Sequence, residues 1–294
     1  MISQDYENLE ILVLDDRSTD DTTTIVLDIT KRDPRVRMIS GGDLPKGWVG
    51  KNWACHQLSQ EATGDILIFV DADTLIDSQV ISSAIMNSMN DDVDLLAIMP
   101  NRIAGCVAER LMFPFIDWAS FCWMPMRKAH SSKNSHLSAV FGQFILFKRD
   151  AYQAIGGHSG IRGIPLDDFE FGRIAKRIGL RWKLFNGAQH VHVMPYAGNV
   201  DALRGVSRSI FPALYYRISI LTILSTILLM LGFLPIMTIA TNAIASPRSN
   251  SVLFMAVLSV VLVALPWFIV CKKFNHNKVT VLFYPLSIGL MVAV

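Results

Sequence analysis

Apolar residues over the first 200 positions come in short runs between polar turns, and beyond position 217 they fuse into long uninterrupted stretches. The short runs at 9–14, 36–39, 66–70, 93–99, 141–148 and 181–185 are too brief for typical helices. They are rich in β-branched and aromatic residues, so they predict strands. Polar or amphipathic segments at 20–32, 51–62, 79–89 and 150–155 predict helices, the first introduced by the capping side chains of Ser18, Thr19 and Asp20. Strand–helix–strand alternation in this order predicts parallel pairing with right-handed crossovers, hence an α/β domain.

The chain is organised around residues 66–74, where Ile66-Leu67-Ile68-Phe69-Val70 runs into Asp71-Ala72-Asp73. Buried strands in α/β sheets end at the edge where ligands bind. Two carboxylates there supply hard oxygen ligands suited to Mg²⁺ or Mn²⁺ shared with substrate phosphates. The same pair would also serve as a plain polar strand exit. The strand 9–14 likewise ends in acids, Asp15-Asp16, which predicts that Asp15 and Asp71 share one edge of one sheet; a helix-capping turn accounts equally well for one of the first two. A Gly-rich loop, 41–50, leads to Lys51 at a helix start, where an ammonium adds to the affinity of a helix N-terminus for a diphosphate. The adjacent acids Asp167-Asp168 open another helix, one as a cap and the other as a candidate general base. His190 and His192 stand two apart on a strand and so share a face. The aromatic stretch 106–126, interrupted by Pro114 and Pro125, predicts core, with an interfacial surface or lipid wall as the alternative. Residues 128–138 predict a mobile loop over the site.

Composition changes the picture at the C-terminal end. Apolar residues make up 51 % of the chain and charged residues 18 %, and no Asp or Glu follows Asp201. Residues 218–245 and 252–271 are long enough to cross a bilayer, and 279–294 forms a shorter third run. Lys272, Lys273 and Lys278 follow the second run and only Arg248 separates the first two. The positive-inside rule therefore predicts a multi-pass protein of the cell (inner) membrane with its front domain cytoplasmic. A net charge of +2 gives no case for nucleic acid. The four cysteines show no metal spacing and read as buried free thiols.

Taken together, the motifs resemble family 2 glycosyltransferases, over roughly residues 5–190. Residues 8–22 resemble the family's nucleotide-binding strand and turn, Asp71-Ala72-Asp73 its DxD motif, and Asp167-Asp168 its acidic pair ahead of a helix. Residues 44–55, from Leu44-Pro45-Lys46-Gly47-Trp48 to Cys55, are similar to members that glycosylate carotenoids, hopanoids and ceramide. The resemblance implies a GT-A fold, a Rossmann-like mixed sheet, over 1–200, an interfacial linker over 201–217 and a transmembrane region over 218–294. It implies Asp168 as catalytic base, Asp73 and His192 as metal ligands, and Asp15, Asp16, Lys51, Asp71, Gln143 and Asp167 as substrate contacts. It implies inverting transfer from a nucleotide-sugar, a UDP-sugar in the first instance, to a lipid acceptor with a divalent metal. A polyprenyl-phosphate sugar synthase would share these motifs. The absence of a Gln-x-x-Arg-Trp signature argues against a processive synthase. Family members usually begin with a strand and a Pro-x-x-Asn-Glu segment that Met1 here follows, so the domain reads as N-terminally incomplete: a fragment, a start-site error or a truncated non-catalytic relative.

Overall fold

The computed structural model describes residues 1–135, 137–214, 216–244 and 249–294. The chain opens with β1 (Ile11–Asp15), α1 (Thr22–Arg32) and β2 (Val36–Ser40), then α2 (Gly50–Glu61), β3 (Ile66–Val70), β4 (Thr74–Ile76), α3 (Val80–Asn90), β5 (Leu95–Met99) and the two-residue β6 (Asn101–Arg102). Next come α4 (Val107–Trp123), α5 (Met126–Ser131), β7 (Phe144–Lys148), α6 (Arg149–Ile155), the single turn α7 (Gly157–Gly160), α8 (Asp167–Arg177), β8 (Trp182–Asn186) and β9 (Val191–Val193). They are followed by α9 (Asn199–Ala213), α10 (Ile218–Ile244), α11 (Asn250–Lys273), a 3₁₀ turn (Lys278–Phe283) and α12 (Tyr284–Ala293). These elements form two compact units, residues 1–101 with 126–193, and residues 102–125 with 194–294.

The first unit is a mixed α/β body. Its main sheet has the order β3-β7-β5-β8. β7 runs antiparallel to both neighbours, with Val70 opposite Phe144, and β5 runs parallel to β8. Both faces of β7 are covered, which is why its sequence is apolar throughout rather than alternating. Phe144 and Leu146 pack with Val80, Ile81, Ala84 and Ile85 of α3. On the other face Phe147 meets Phe69, Tyr152 and Phe171 edge-on, at ring separations of 6.0, 5.3 and 5.0 Å.

Three expectations are corrected here. β1 and β2 pair parallel, as their spacing predicts, but in a ladder of their own. Asp15 and Asp71 therefore do not close strands of one sheet, because β3 takes its partner from β7, more than 70 residues on. A strand's apolar pattern says which faces are buried and leaves the pairing partner open. Residues 128–138 are not a free loop: α5 covers their start, and the Lys176 ammonium donates to the carbonyls of Ala129, Asn134 and Leu137. The helix α1 begins at Thr22 rather than at the Ser18–Asp20 caps, since Asp15 takes the Ser18 amide and Asp20 that of Thr22.

In the second unit α4 passes through Pro114 unbroken. Its Phe115 lies buried with Trp267, Tyr284 and Ile288, so that part of the aromatic stretch is core, while Phe121 is exposed; Ala108 and Met112 pack against Ala202 and Val206 of α9. Asp117 is fully buried, paired with Arg102 and with His276 Nε2 at 2.7 Å. α10 and α11 are long and apolar enough to cross a membrane, and only 6 % and 11 % of their most apolar windows is buried inside the protein. Outward-facing apolar surface of that kind is not what a soluble core helix presents. Arg248 and the 246–248 part of the connecting loop lie outside the described residues. The cysteines are free thiols, but Cys122 is exposed rather than buried.

Candidate functional site

The acids at the exit of β3 sit where the sheet ends. The Asp71 amide donates to the carbonyl of Gln143 at 3.4 Å, extending the β3–β7 ladder one residue beyond Val70. The chain turns at once, with the Thr74 amide bonded to the Asp71 carbonyl at 3.0 Å. Lys51, in the first turn of α2, places Nζ 2.9 Å from Asp71 Oδ1 and 3.8 Å from Asp167 Oδ2. α2 is held in register by buried Asn52, whose Nδ2 donates to the carbonyls of Ile161 and Ile164, both at 2.9 Å. The loop leading to α8 is thereby fastened to the helix that carries Lys51. Gly142 leaves room for the cluster: a Cβ there would lie 3.0 Å from Lys51 Nζ and 3.6 Å from Asp168 Oδ2, and the flexible lysine end would have to shift.

Asp167 and Asp168 occupy the first turn of α8. Asp168 Oδ1 accepts the Phe169 amide at 2.8 Å and Oδ2 the Gly142 amide at 3.1 Å. Burial, and then the neighbouring charge of Asp167, push Asp168 up to about 7, against the pull of Lys51 and the two amides. Burial opposes the charge of Asp167 too, but the His158 imidazole and the Lys51 ammonium outweigh it and hold its pKa below the ordinary value. Burial also works against the Lys51 ammonium, yet Asp167, Asp71 and Asp168 around it keep its pKa raised. Asp71 is raised by burial, with Lys51 opposing. Two adjacent acids driven in opposite directions make the pattern expected of a site that separates a permanent charge from a proton acceptor.

The other sequence candidates are placed as follows. Asp15 accepts the Ser18 amide at 3.0 Å and the Thr23 hydroxyl at 2.5 Å, and these bonds lower its pKa. It closes the turn after β1. Asp16 is half-exposed, with Arg17 at 3.4 Å. Asp73 is exposed and takes the Thr74 hydroxyl at 3.3 Å. His192 stands opposite Leu75 in the β4–β9 ladder, its Nδ1 3.4 Å from Asn101 Nδ2. His190 lies in the turn before β9 and pairs with Asp77 at 2.9 Å, so the two histidines do not share a strand face. Gln143 Oε1 is buried without a partner. Lys51, Asp71, Asp167 and Asp168 are thus drawn together, while Asp15, Asp16, Asp73 and His192 make no hydrogen bond or ion pair to them among the described residues. Sequence reasoning missed Gly142, Tyr152 and His158. Their only signal is a histidine behind the Gly156-Gly157 pair, which says nothing about what it faces.

No three His, Cys, Asp or Glu side chains among the described residues converge to hold a metal ion. An exposed Asp73 carboxylate still suits a hard cation that keeps several waters and takes further oxygens from a bound diphosphate. An open cavity of about 480 Å³ beside α3, lined by Asp77, Ser83, Phe185 and His190, shares no residue with the acid cluster.

Residues 1–156 match the model of the family described as glycosyl transferase family 2. The chain belongs to that family. The 4,4'-diaponeurosporenoate glycosyltransferase of Staphylococcus haemolyticus is 26 % identical over 201 residues, covering 66 % of this chain and 51 % of that protein. A GalNAc(5)-diNAcBac-PP-undecaprenol beta-1,3-glucosyltransferase of Campylobacter jejuni is 33 % identical over 90 residues, 30 % of this chain and 28 % of that one. The chain spans about half the length of the first relative (51 %). A mannosyltransferase of Pyrobaculum calidifontis, solved with GDP-Man and Mn²⁺, aligns over 97 % of this chain and 80 % of its own, at 19 % identity and a TM-score of 0.48. In this family 2 chain a mixed four-stranded sheet is followed along the sequence by the two apolar helices.

Proposed function

We propose that this family 2 chain is an inverting glycosyltransferase that moves a sugar from a nucleotide-diphosphate donor to a lipid-linked acceptor at the cytoplasmic face of a membrane. The observation that carries the reading is the Lys51–Asp71–Asp167–Asp168 cluster at the end of β3, with Asp168 poised near neutrality. The acceptor hydroxyl attacks the anomeric carbon as the bond from that carbon to the diphosphate oxygen breaks. Asp168 takes the hydroxyl proton on a carboxylate oxygen. A base with a pKa near the working pH combines a large ionised fraction with useful basicity. Attack opposite the leaving group inverts the anomeric centre. Lys51, at the start of α2, draws the donor's phosphates toward the helix N-terminus. Asp16 and Asp71 contact the nucleotide side of the donor, and Gln143, whose Oε1 lacks a partner, is a further substrate contact. Asp73 would hold a divalent metal, with His192 as a further ligand. When bound, the metal supplies positive charge to the departing diphosphate.

The names of the relatives, a diaponeurosporenoate glycosyltransferase and a PP-undecaprenol glucosyltransferase, support a lipid-linked acceptor. The outward-facing apolar helices support a site at a membrane surface. The test is transfer of labelled sugar into the lipid phase by membranes containing the full chain. UDP-glucose and related donors would be supplied with Mg²⁺ or Mn²⁺ and a lipid extract. Metal-dependent transfer, lost in Asp73→Ala and in Asp168→Asn, is the expected result. Loss of donor binding in Asp168→Asn would make Asp168 a ligand instead of the base, and transfer undiminished in either variant would refute the assignment.

A further inference from the structure

His158 is almost wholly buried, at 2 % exposure, and no part of the reaction above uses it. Its ring lies among Phe69 and Phe171, edge-on at 4.8 and 4.9 Å. An imidazole in such a place loses affinity for a second proton, and burial lowers its pKa. The neutral ring carries one N–H, and its neighbours decide where. The Tyr152 hydroxyl oxygen accepts the His158 backbone amide at 3.1 Å and lies 2.8 Å from Nδ1. The Tyr152 hydroxyl can donate to Nδ1 as well as accept from it, whereas the ionised Asp167 carboxylate on the other side of the ring can only accept. The ring proton is left on Nε2, and Nε2 faces Asp167 Oδ2 at 3.8 Å. The same oxygen has Lys51 Nζ at 3.8 Å on its other side.

We propose that His158 is a positioning residue whose Nε2–H, aimed by Tyr152, keeps the Asp167 carboxylate charged beside Asp168, so that the proton shared by the pair resides on Asp168. The proposal rests on the reading of Asp168 as the base and adds what makes it one. Among the described residues, the charged and titratable groups facing the pair and His158 are Lys51, Cys55 and His56 of α2, Asp71 at the end of β3 and Tyr152 of α6. Among the described residues, the side chains of His158 and Lys51 bring an N–H toward Asp167 Oδ2, and the Asp168 backbone amide also donates to this carboxylate. Without the imidazole donor the doubly ionised pair loses stabilisation. The singly protonated pair evades part of that loss by moving its proton to Asp167. The two carboxyls titrate as a unit, so their upper step moves to higher pH.

The test uses the full chain in detergent micelles. Infrared spectra taken across pH 5–9 follow the protonated-carboxyl band that Asp168→Asn removes. In His158→Leu the midpoint of that band should rise by roughly one pH unit relative to the unsubstituted chain. In His158→Gln, which keeps an amide N–H where Nε2 stood, it should stay in place. The acid limb of kcat should follow the same order, while the KM for UDP-glucose changes little. An unmoved midpoint in His158→Leu, or an equal rise in His158→Gln, would overturn the proposal. Should His158→Leu fail to fold, His158→Phe provides the same test, because it keeps an aromatic ring among Phe69 and Phe171 and removes the N–H. An unmoved midpoint there counts equally against it. Absence of sugar transfer in the unsubstituted chain would count against the transferase reading and leave the infrared result to decide the role of His158.

Discussion

Lowering the pH from 8 to 6 should silence the site through one carboxyl. Asp168 stands at about 7, raised by burial and by Asp167, and a base works only in its ionised form. The sign follows directly: ionisation is lost as pH falls through 7. About 91 % of Asp168 is ionised at pH 8 and about 9 % at pH 6, so kcat/KM should fall about tenfold between them. Neither Asp15, whose pKa is lowered, nor Asp167 can produce this limb, because both stay charged throughout the range. Initial rates of labelled-sugar transfer into lipid, at fixed metal and saturating lipid acceptor in overlapping buffers, measure it. Asp168→Asn is the control: its residual rate, roughly 10²–10⁴-fold lower, should show no limb near 7. A profile flat from pH 6 to 8, or a limb that survives in Asp168→Asn, would refute the assignment of the base and the electrostatic account of it.

Other consequences are equally direct. Gly142→Ala should leave the fold intact, since the group it crowds is the flexible end of Lys51, but should displace Nζ from Asp71. Misplacement of this order costs up to about 10²-fold in rate, so kcat should fall with little change in melting temperature. Lys176→Met should destabilise the first unit by about 2–6 kcal/mol, because it strips the buried carbonyl of Ala129 and the part-buried carbonyl of Leu137 of their donor, each worth roughly 1–3 kcal/mol. Denaturant titration and protease cleavage within 128–138 would register the loss, and unchanged values would mean the segment is held by other contacts. A reporter inserted within residues 246–250 should read out as extracytoplasmic, with the first unit and the loop carrying Lys272, Lys273 and Lys278 cytoplasmic; a cytoplasmic signal would reverse the orientation.

Much of the chain is decided locally. The apolar runs at 66–70 and 144–147 form strands because their β-branched and aromatic residues suit a pleated surface, partly buried in the first and buried on both faces in the second. Asp71-Ala72-Asp73 and Asp167-Asp168 stand out because acids at the end of an apolar run or the start of a helix are locally visible. The runs that became α10 and α11 announce themselves by length and lack of charge, a property of composition that needs no partner.

Tertiary structure alone decided what these pieces do to one another. That β3 pairs with β7 rather than lying beside β1 depends on which edges meet, and period-2 patterns are silent on it. Phe115 of the aromatic stretch is core because Trp267 and Tyr284, some 150 residues later, cover it. Lys51, Asp71, His158 and Asp167 come from four separate elements and loops, so their shared electrostatics had no local signature. Whether an acid is a helix cap or a base depends on burial and on neighbouring charge. Asp15 and Asp168 are the same residue type in similarly polar sequence, yet open turn bonding lowers one pKa while burial, and then the neighbouring Asp167 carboxylate, raises the other.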